Sequence, residues 1–483
     1  MSAGKSVAAN AAWLLVATTA QKALSFVSFT IVANIVGPST TGLFHFAVSI
    51  TSIFVTFSDL GLTPVLIREM AGDEERGRAF LARAIRLKLL LIPLAVLGVL
   101  GYAALTDITG VTFMAVLVAC FVMSCDAVSV LWYGAIRGRR VLKHEAVGIL
   151  AGQICTAIVS IAAAILGWGA VGLVFGLLAG SIWNVIWSLR QARALGLTSR
   201  MTTEWPLKRI VQLATPFALA GIFVKIYSYV DTLLLKQFHP DEVVGHYAVA
   251  YKVTYALQFL PLAFVAALYP SLSAAHSSGK KEEIEQLLTG SLRLMMLAGV
   301  PLAALLSALA EPIITAAYPK FVGSIVPLSI LPWVLIPIFL DFPVGSLLNA
   351  TNRAHLKTTA MGVAMIVNVI ANFLLVPTYG AMGAAWSGVV SFWLLLFVGL
   401  IFVRNDVPWK WMTFLSLRGA GAAIAIWYPT LVLARETPWY VACFSGALLA
   451  LFVVFLFGLV APEDMKRVYG WLRRKPEPTI NGQ

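Results

Sequence analysis

Polar positions are the exceptions along this chain. Apolar stretches follow one another with short breaks. Each is close to the about 20 residues that a helix needs to cross a hydrocarbon core. The pattern predicts fourteen spans, at roughly 10–36, 43–67, 85–106, 110–134, 145–167, 169–189, 209–235, 244–272, 287–309, 321–349, 355–376, 380–403, 411–433 and 438–460. The first run is too long for a signal-peptide core and lacks a cleavage pattern, so it is expected to remain a span.

The pattern also repeats. Residues 7–36 carry one charge, Lys22, in mid-span. At an offset of 203, Lys225 lies inside another apolar run, Ser25 maps onto Ser228, and Gly42 onto Gly245. Farther on, Gly169-Ala170-Val171-Gly172 returns as Gly380-Ala381-Met382-Gly383, offset 211. Each repeat holds six spans. An even number preserves orientation, so the repeats are parallel, about an axis along the membrane normal. The expected fold is an all-α integral membrane protein. Two parallel six-helix lobes, 1–200 and 201–405, surround a central cavity; two further helices fill 406–460, and a basic tail covers 461–483.

Helical spacing collects the polar residues into faces. Thr18, Lys22, Ser25 and Phe29 share one face of span 1, and Gly221, Lys225, Ser228 and Thr232 one face of span 7. Span 2 carries His45, Ser49, Ser52, Thr56, Asp59 and Thr63. Its counterpart, span 8, carries Lys252 at the position matching Ser49, with Tyr247, Tyr251, Tyr255 and Gln258. A lysine at the bilayer centre costs roughly 2.5–3.5 kcal/mol on insertion scales, so such residues face a protein interior or water. Lys22, Lys225 and Lys252, with Ser25, Ser228, Ser49, Tyr251 and Tyr255, are therefore the candidate lining of an anion-binding cavity. Small hydroxyl residues also serve plain helix packing in membranes, and a lysine near a helix end can snorkel. Asp59, Asp126 and Asp341 are candidates for ion coupling; capped or paired carboxylates are the plainer alternative. Span 10 contains Pro327, Pro332, Pro337 and Pro343, which predict bends.

Composition sharpens this picture. The 483 residues are 60% hydrophobic, with a mean hydropathy of +0.87, which excludes a soluble globular domain. The net charge of +13 does not point to nucleic acid, because it is distributed by topology. Of 35 lysines and arginines, 29 fall on one side of the predicted spans, including those at 68–88 and 353–357. Positive-inside asymmetry then predicts both termini in the cytoplasm. The loops on the other side are short. Residues 73–88 and 280–293 read as amphipathic surface helices leading into spans 3 and 9. Cys120, Cys125, Cys155 and Cys443 lie within predicted spans and show no metal-binding spacing.

Three patterns resemble the polysaccharide-transporter branch of the multidrug/oligosaccharidyl-lipid/polysaccharide exporter superfamily. They are Gly37-Pro38, Gly42, Asp59-Leu60-Gly61 and Arg68; Leu348-Asn349-Ala350 with Asn352-Arg353; and Asn368, Asn372, Leu374, Pro377, Gly380 and Gly383-Ala384-Ala385. The resemblance covers nearly the whole chain. It implies a V-shaped fold working by alternating access. It also implies flipping of an undecaprenyl-pyrophosphate-linked oligosaccharide from the cytoplasmic to the outer leaflet of a bacterial inner membrane. It adds Arg68 and Arg353 to the substrate-binding candidates. The implied partners are the lipid-linked oligosaccharide, the bilayer, and polysaccharide polymerase and chain-length proteins, with no nucleic acid and a monomeric transporter. The glycan is expected against hydroxyls and aromatics such as Tyr227 and Trp333, with the lipid tail in a gap between the lobes.

The rival readings are a peptidoglycan-precursor flippase, for which an arginine-rich cavity is expected, and a cation-coupled multidrug exporter drawing on Asp59, Asp126, Asp231 and Asp341. A glycan polymerase or ligase needs catalytic groups, and no nucleophile elbow, phosphate loop or metal motif occurs. No cofactor is expected; a proton or sodium gradient is the expected energy source.

Overall fold

The computed structural model describes residues 3–197 and 205–459. The predicted basic tail, 461–483, lies outside the described residues. Among those described, all regular structure is helical. In chain order the helices are α1 (Ala3–Asp59), α2 (Leu62–Gly72), α3 (Glu74–Leu105), α4 (Gly110–Gly138), α5 (Leu142–Ile165), α6 (Gly169–Ala194), α7 (Leu207–Phe238) and α8 (Asp241–Tyr255). They continue as α9 (Phe259–Ser277), α10 (Lys281–Ala308), α11 (Ala310–Ala317), α12 (Ile325–Ile330), α13 (Leu335–Ala350), α14 (Ala354–Phe402), α15 (Trp409–Glu436) and α16 (Trp439–Leu456).

Among the described residues thirteen stretches are long and apolar enough to cross a membrane. One of them, α14, has 49 residues, about 70 Å at 1.5 Å per residue, which is twice a bilayer core. It breaks at Gly380, whose φ of 54° and ψ of −130° suit glycine alone, and so supplies two of the fourteen expected spans. Gly169, the repeat mate of Gly380, also takes a positive φ at the start of α6. The second glycine of each motif permits close packing. A Cβ at Gly172 would lie 2.4 Å from Trp168 Cβ, and one at Gly383 would lie 2.4 Å from the Leu375 carbonyl oxygen. The duplicated motif is thus a turn device that folds one span back on its predecessor. In α1 the corresponding break is at Gly37, with φ 80° and ψ 178°.

Span 10 departs from a single helix, as its prolines predict. It runs through a 3-10 turn at Val322–Ser324, α12, a second 3-10 turn at Leu331–Val334, and α13. The amphipathic segments at 73–88 and 280–293 are continuous with the spans that follow, as α3 and α10. Asp73 caps α3, its carboxylate accepting from the Glu75 and Arg76 amides.

Helices α1 and α3–α6 pack together, as do α7, α9, α10, α13 and α14; α15 lies on α10, and α16 on α15. The two groups meet where α1 packs along α7 and α8. The turns at Gly37, 106–109, 166–168, 239–240, Gly380 and 437–438 lie at one end of the bundle, the kink end. The starts of α3, α5, α7 and α10 lie at the other, the basic end. At the kink end the repeat-related glycines interlock. A Cβ on Gly42 would fall 1.9 Å from the Asp241 carbonyl oxygen, and one on Gly245 would fall 2.0 Å from that of Pro38. The same end is laced by Thr30 to Tyr318 (2.6 Å), Asn34 to the Ala317 carbonyl (2.8 Å) and Lys320 to the Ile35 carbonyl (3.2 Å).

Candidate functional site

Three clefts run into one another between and within the halves. The central one, about 240 Å³, is lined by Ser25, Phe29, His45, Gln153, Tyr229 and Lys252, among others. Lys252 stands on α8 and donates to Ser25 Oγ on α1 at 3.0 Å, joining the two halves. Its ammonium lies 5.4 Å from the Phe29 ring centroid. Among the described residues no carboxylate pairs with it. Lys22 and His45 lie within electrostatic reach of it. The centre is therefore a half-buried positive charge with no negative charge assigned to it.

Tyr251 lines this cleft and the next, which lies in the C-terminal half and holds about 410 Å³. There Tyr227, Ser228, Tyr255, Gln258, Asp341 and Lys357 form the wall. Tyr251 and Tyr255 stack with centroids 4.1 Å apart. Lys357 donates to both carboxylate oxygens of Asp341. Gly345 leaves room for that lysine, since a Cβ there would lie 3.2 Å from its Cε. The third cleft, about 250 Å³, lies in the N-terminal half among α1, α4, α5 and α6 and is lined by Gln21, Ser52, Asp126, Thr156, Ser181 and Asn184, among others. A larger cavity lies apart from these. It is an apolar groove of about 810 Å³ between α10, α13, α14 and α15, with Trp333, Trp393 and Trp409 in its walls.

Of the residues singled out from sequence, the central and C-terminal clefts bring together Ser25, Ser228, Tyr251, Lys252 and Tyr255. Lys225 stands beside them, 5.3 Å from the Tyr229 centroid and within electrostatic reach of Asp126. Lys22 is exposed on α1, one residue after the cleft-lining Gln21. Ser49 is fully buried, lines none of the three clefts, and its hydroxyl has no hydrogen-bond partner among the described residues.

Neither arginine reaches the clefts. Arg68 is exposed and pairs with Glu69 at 3.2 Å. Arg353 is held by Asp406 at 2.9 Å and by Thr351, which ties the α13–α14 turn to the end of α14. Trp333 lines the apolar groove, not the polar clefts.

The three aspartates are all engaged. Asp59 accepts from Lys88 at 2.7 Å and from the Thr63 hydroxyl at 2.5 Å, and Lys88 also donates to the Ala127 carbonyl. Asp126 accepts from Ser181 at 2.7 Å, and Asp341 holds Lys357. Asp231 is buried, accepting from Tyr247 and Thr232. Lys88 and Lys357, counted by sequence with the charges of the basic end, are buried inside the bundle. Sequence reasoning missed Lys357 because it sits a single turn beyond the basic Asn352-Arg353 turn. It missed Gln21 and Gln153 because isolated amides in apolar runs attract no attention until their helices are brought together.

Residues 7–276 match the family described as Polysaccharide biosynthesis protein, and residues 216–374 match the MatE family. A curated relative, the probable low-salt glycan biosynthesis flippase Agl15 of Haloferax volcanii, is 22% identical over 471 residues, 95% of each chain. The probable flippase AglR of the same organism is 28% identical over 169 residues, 34% of this chain and 35% of its own. Among solved structures, the fold is similar to the lipid II flippase MurJ in an inward closed conformation, with TM-score 0.72 and 15% identity over 94% of this chain and 99% of that one. An inward-facing multidrug resistance MATE transporter of the MOP superfamily gives TM-score 0.66 and 15% identity over 80% and 95%.

Proposed function

The chain belongs to the polysaccharide biosynthesis protein family, and from that membership we propose that it is a flippase that moves a diphosphate-linked saccharide on a polyprenyl lipid across the membrane. A probable glycan biosynthesis flippase and a second probable flippase among its relatives support the reading. The observation that carries it is Lys252, a cation at the junction of the halves that no carboxylate among the described residues neutralises. An unpaired charge away from water is costly, and an arriving anion supplies the missing partner. Lys22 and Lys225 add positive potential on either side. A diphosphate in this low-dielectric cleft exchanges its water for ammonium groups, while the hydroxyls and tyrosines nearby suit a glycan. The prenyl chain needs only apolar walls, and the groove beside α15 offers them.

The basic end is taken as cytoplasmic and the direction as outward, from the charge asymmetry. A bacterial inner membrane and an undecaprenyl carrier complete the reading. A cationic-drug exporter is disfavoured, because Asp59, Asp231 and Asp341 are each already held by a lysine, tyrosine or threonine.

Purified protein in liposomes with a fluorescent lipid-linked saccharide tests the proposal. Lys252→Ala is expected to abolish flipping and Lys252→Arg to keep part of it; a full rate in Lys252→Ala overturns the reading. Coupling to a proton or sodium gradient through Asp341 is part of the proposal. Collapsing both gradients and the membrane potential should slow flipping by the wild type but not by Asp341→Asn. Rates in the wild type that ignore all three leave exchange down the substrate's own gradient.

A further inference from the structure

The cleft of the N-terminal half is made of a different chemistry from the lysine centre. Gln21, Asp126, Gln153, Thr156, Ser181 and Asn184 line it together with aliphatic side chains such as Val48 and Leu177; its polar groups are amides, hydroxyls and one carboxylate, with no aromatic ring and no cation in its wall. Much of this hydrogen-bonding capacity is unspent. Gln21 and Gln153 make no hydrogen bond to the protein among the described residues. Asp126 uses Oδ1 for Ser181 and leaves Oδ2 open. Asn184 accepts from the Tyr133 hydroxyl at 2.9 Å through Oδ1, which leaves its amide hydrogens.

The cleft is built and held. A Cβ at Gly152 would come within 2.6 Å of Asn184 Nδ2, and one at Gly180 within 2.1 Å of Thr156 Oγ1. Two glycines thus let α5 and α6 approach closely enough to present these side chains together. Gln153 and Thr156 line the lysine centre as well, so the two spaces are continuous.

The donor set excludes several occupants. Asp126 repels a phosphate, and an acyl or prenyl chain would leave the amides, hydroxyls and carboxylate without partners, whereas the apolar part of the wall, Val48, Val122, Ile149 and Leu177 among it, suits the C–H face of a ring. What matches is a neutral group with several hydroxyls, each donor and acceptor at once, as on a sugar ring. Carboxamides can bridge neighbouring hydroxyls, and a carboxylate oxygen accepts from them strongly. The volume is below the about 300 Å³ at the lower end of drug-sized pockets, the scale of one ring and not of a chain. We infer that this cleft is the subsite for the first sugar attached to the diphosphate, with Asp126, Gln21 and Gln153 reading its hydroxyls while Lys252 holds the phosphate. The inference rests on the flippase reading above.

The test measures binding to the full chain in nanodiscs. The probes are undecaprenyl diphosphate without sugar and undecaprenyl diphosphates carrying glucose, galactose or N-acetylglucosamine. Wild type is expected to prefer at least one sugar-bearing lipid over the bare one. Asp126→Asn and Gln21→Leu, neither of which lines the lysine centre, should each lower that preference about tenfold, the effect of a lost hydrogen bond to a charged or amide group. Affinity for the bare lipid should stay within twofold, whereas Lys252→Ala should weaken all four probes. A preference that survives both cleft variants overturns the inference, as does equal loss for bare and sugar-bearing lipids, or a wild type indifferent to the sugar. A wild type that binds none of the four overturns the flippase reading, and this inference with it.

Discussion

A single side chain decides how much of this protein is legible in its sequence. Lys252 is visible because it interrupts an apolar run. Lys88 is not, because it sits within reach of a basic loop and reads as one more topological charge. Only the fold reveals that it crosses to Asp59 and to the Ala127 carbonyl, with Thr63 on the same carboxylate. Removing one member of a buried pair leaves the other charge stranded, at about 3–5 kcal/mol, whereas replacing both by apolar groups is far less harmful. Lys88→Met and Asp59→Leu alone are therefore expected to lower the melting temperature of the detergent-solubilised protein markedly. The double variant should recover most of it. A double variant no more stable than the worse single one contradicts that account. The Asp341–Lys357 pair is similarly buried but differs in that both members line a cleft.

At the scale of helices and turns, periodicity located the spans well and their breaks less well. The predicted boundary between spans 11 and 12 coincides with Gly380, because a glycine in a repeated motif marks a turn. The bends of span 10 were foreseeable in kind from four prolines. Their form, two short 3-10 turns around α12, depends on neighbours that sequence does not name. Gly42 and Gly245 were matched by the repeat offset, yet nothing in the sequence says that each presses on the other's helix corner. That contact forbids any side chain. Gly42→Val or Gly245→Val is expected to hold the kink end apart. Spin labels at Ser39 and Glu242 should then report a longer distance than in an otherwise unchanged chain. An unaltered distance in both variants would show that the corner tolerates bulk elsewhere.

For the whole molecule, the two-fold repeat and the charge asymmetry were plain, because both are averages over many residues. The clefts were not, because each draws side chains from helices far apart in sequence. Gln21 and Gln153 meet only once α1 and α5 pack. Sidedness is the global property most open to test. Cysteines placed at 73–86 or 280–285 should react with an impermeant reagent only from the cytoplasm, and cysteine at Ser39 only from outside. Labelling at Ser39 from the cytoplasm reverses the direction of transport proposed here. The kink end has one further consequence. Its turns are a few residues long, and the one longer segment, 309–321, is laced down by Tyr318, Ala317 and Lys320. A face built this way gives a protease no long extended strand to thread. With the kink end outward, as proposed, the cell surface would carry only short turns and the laced 309–321 segment of this protein.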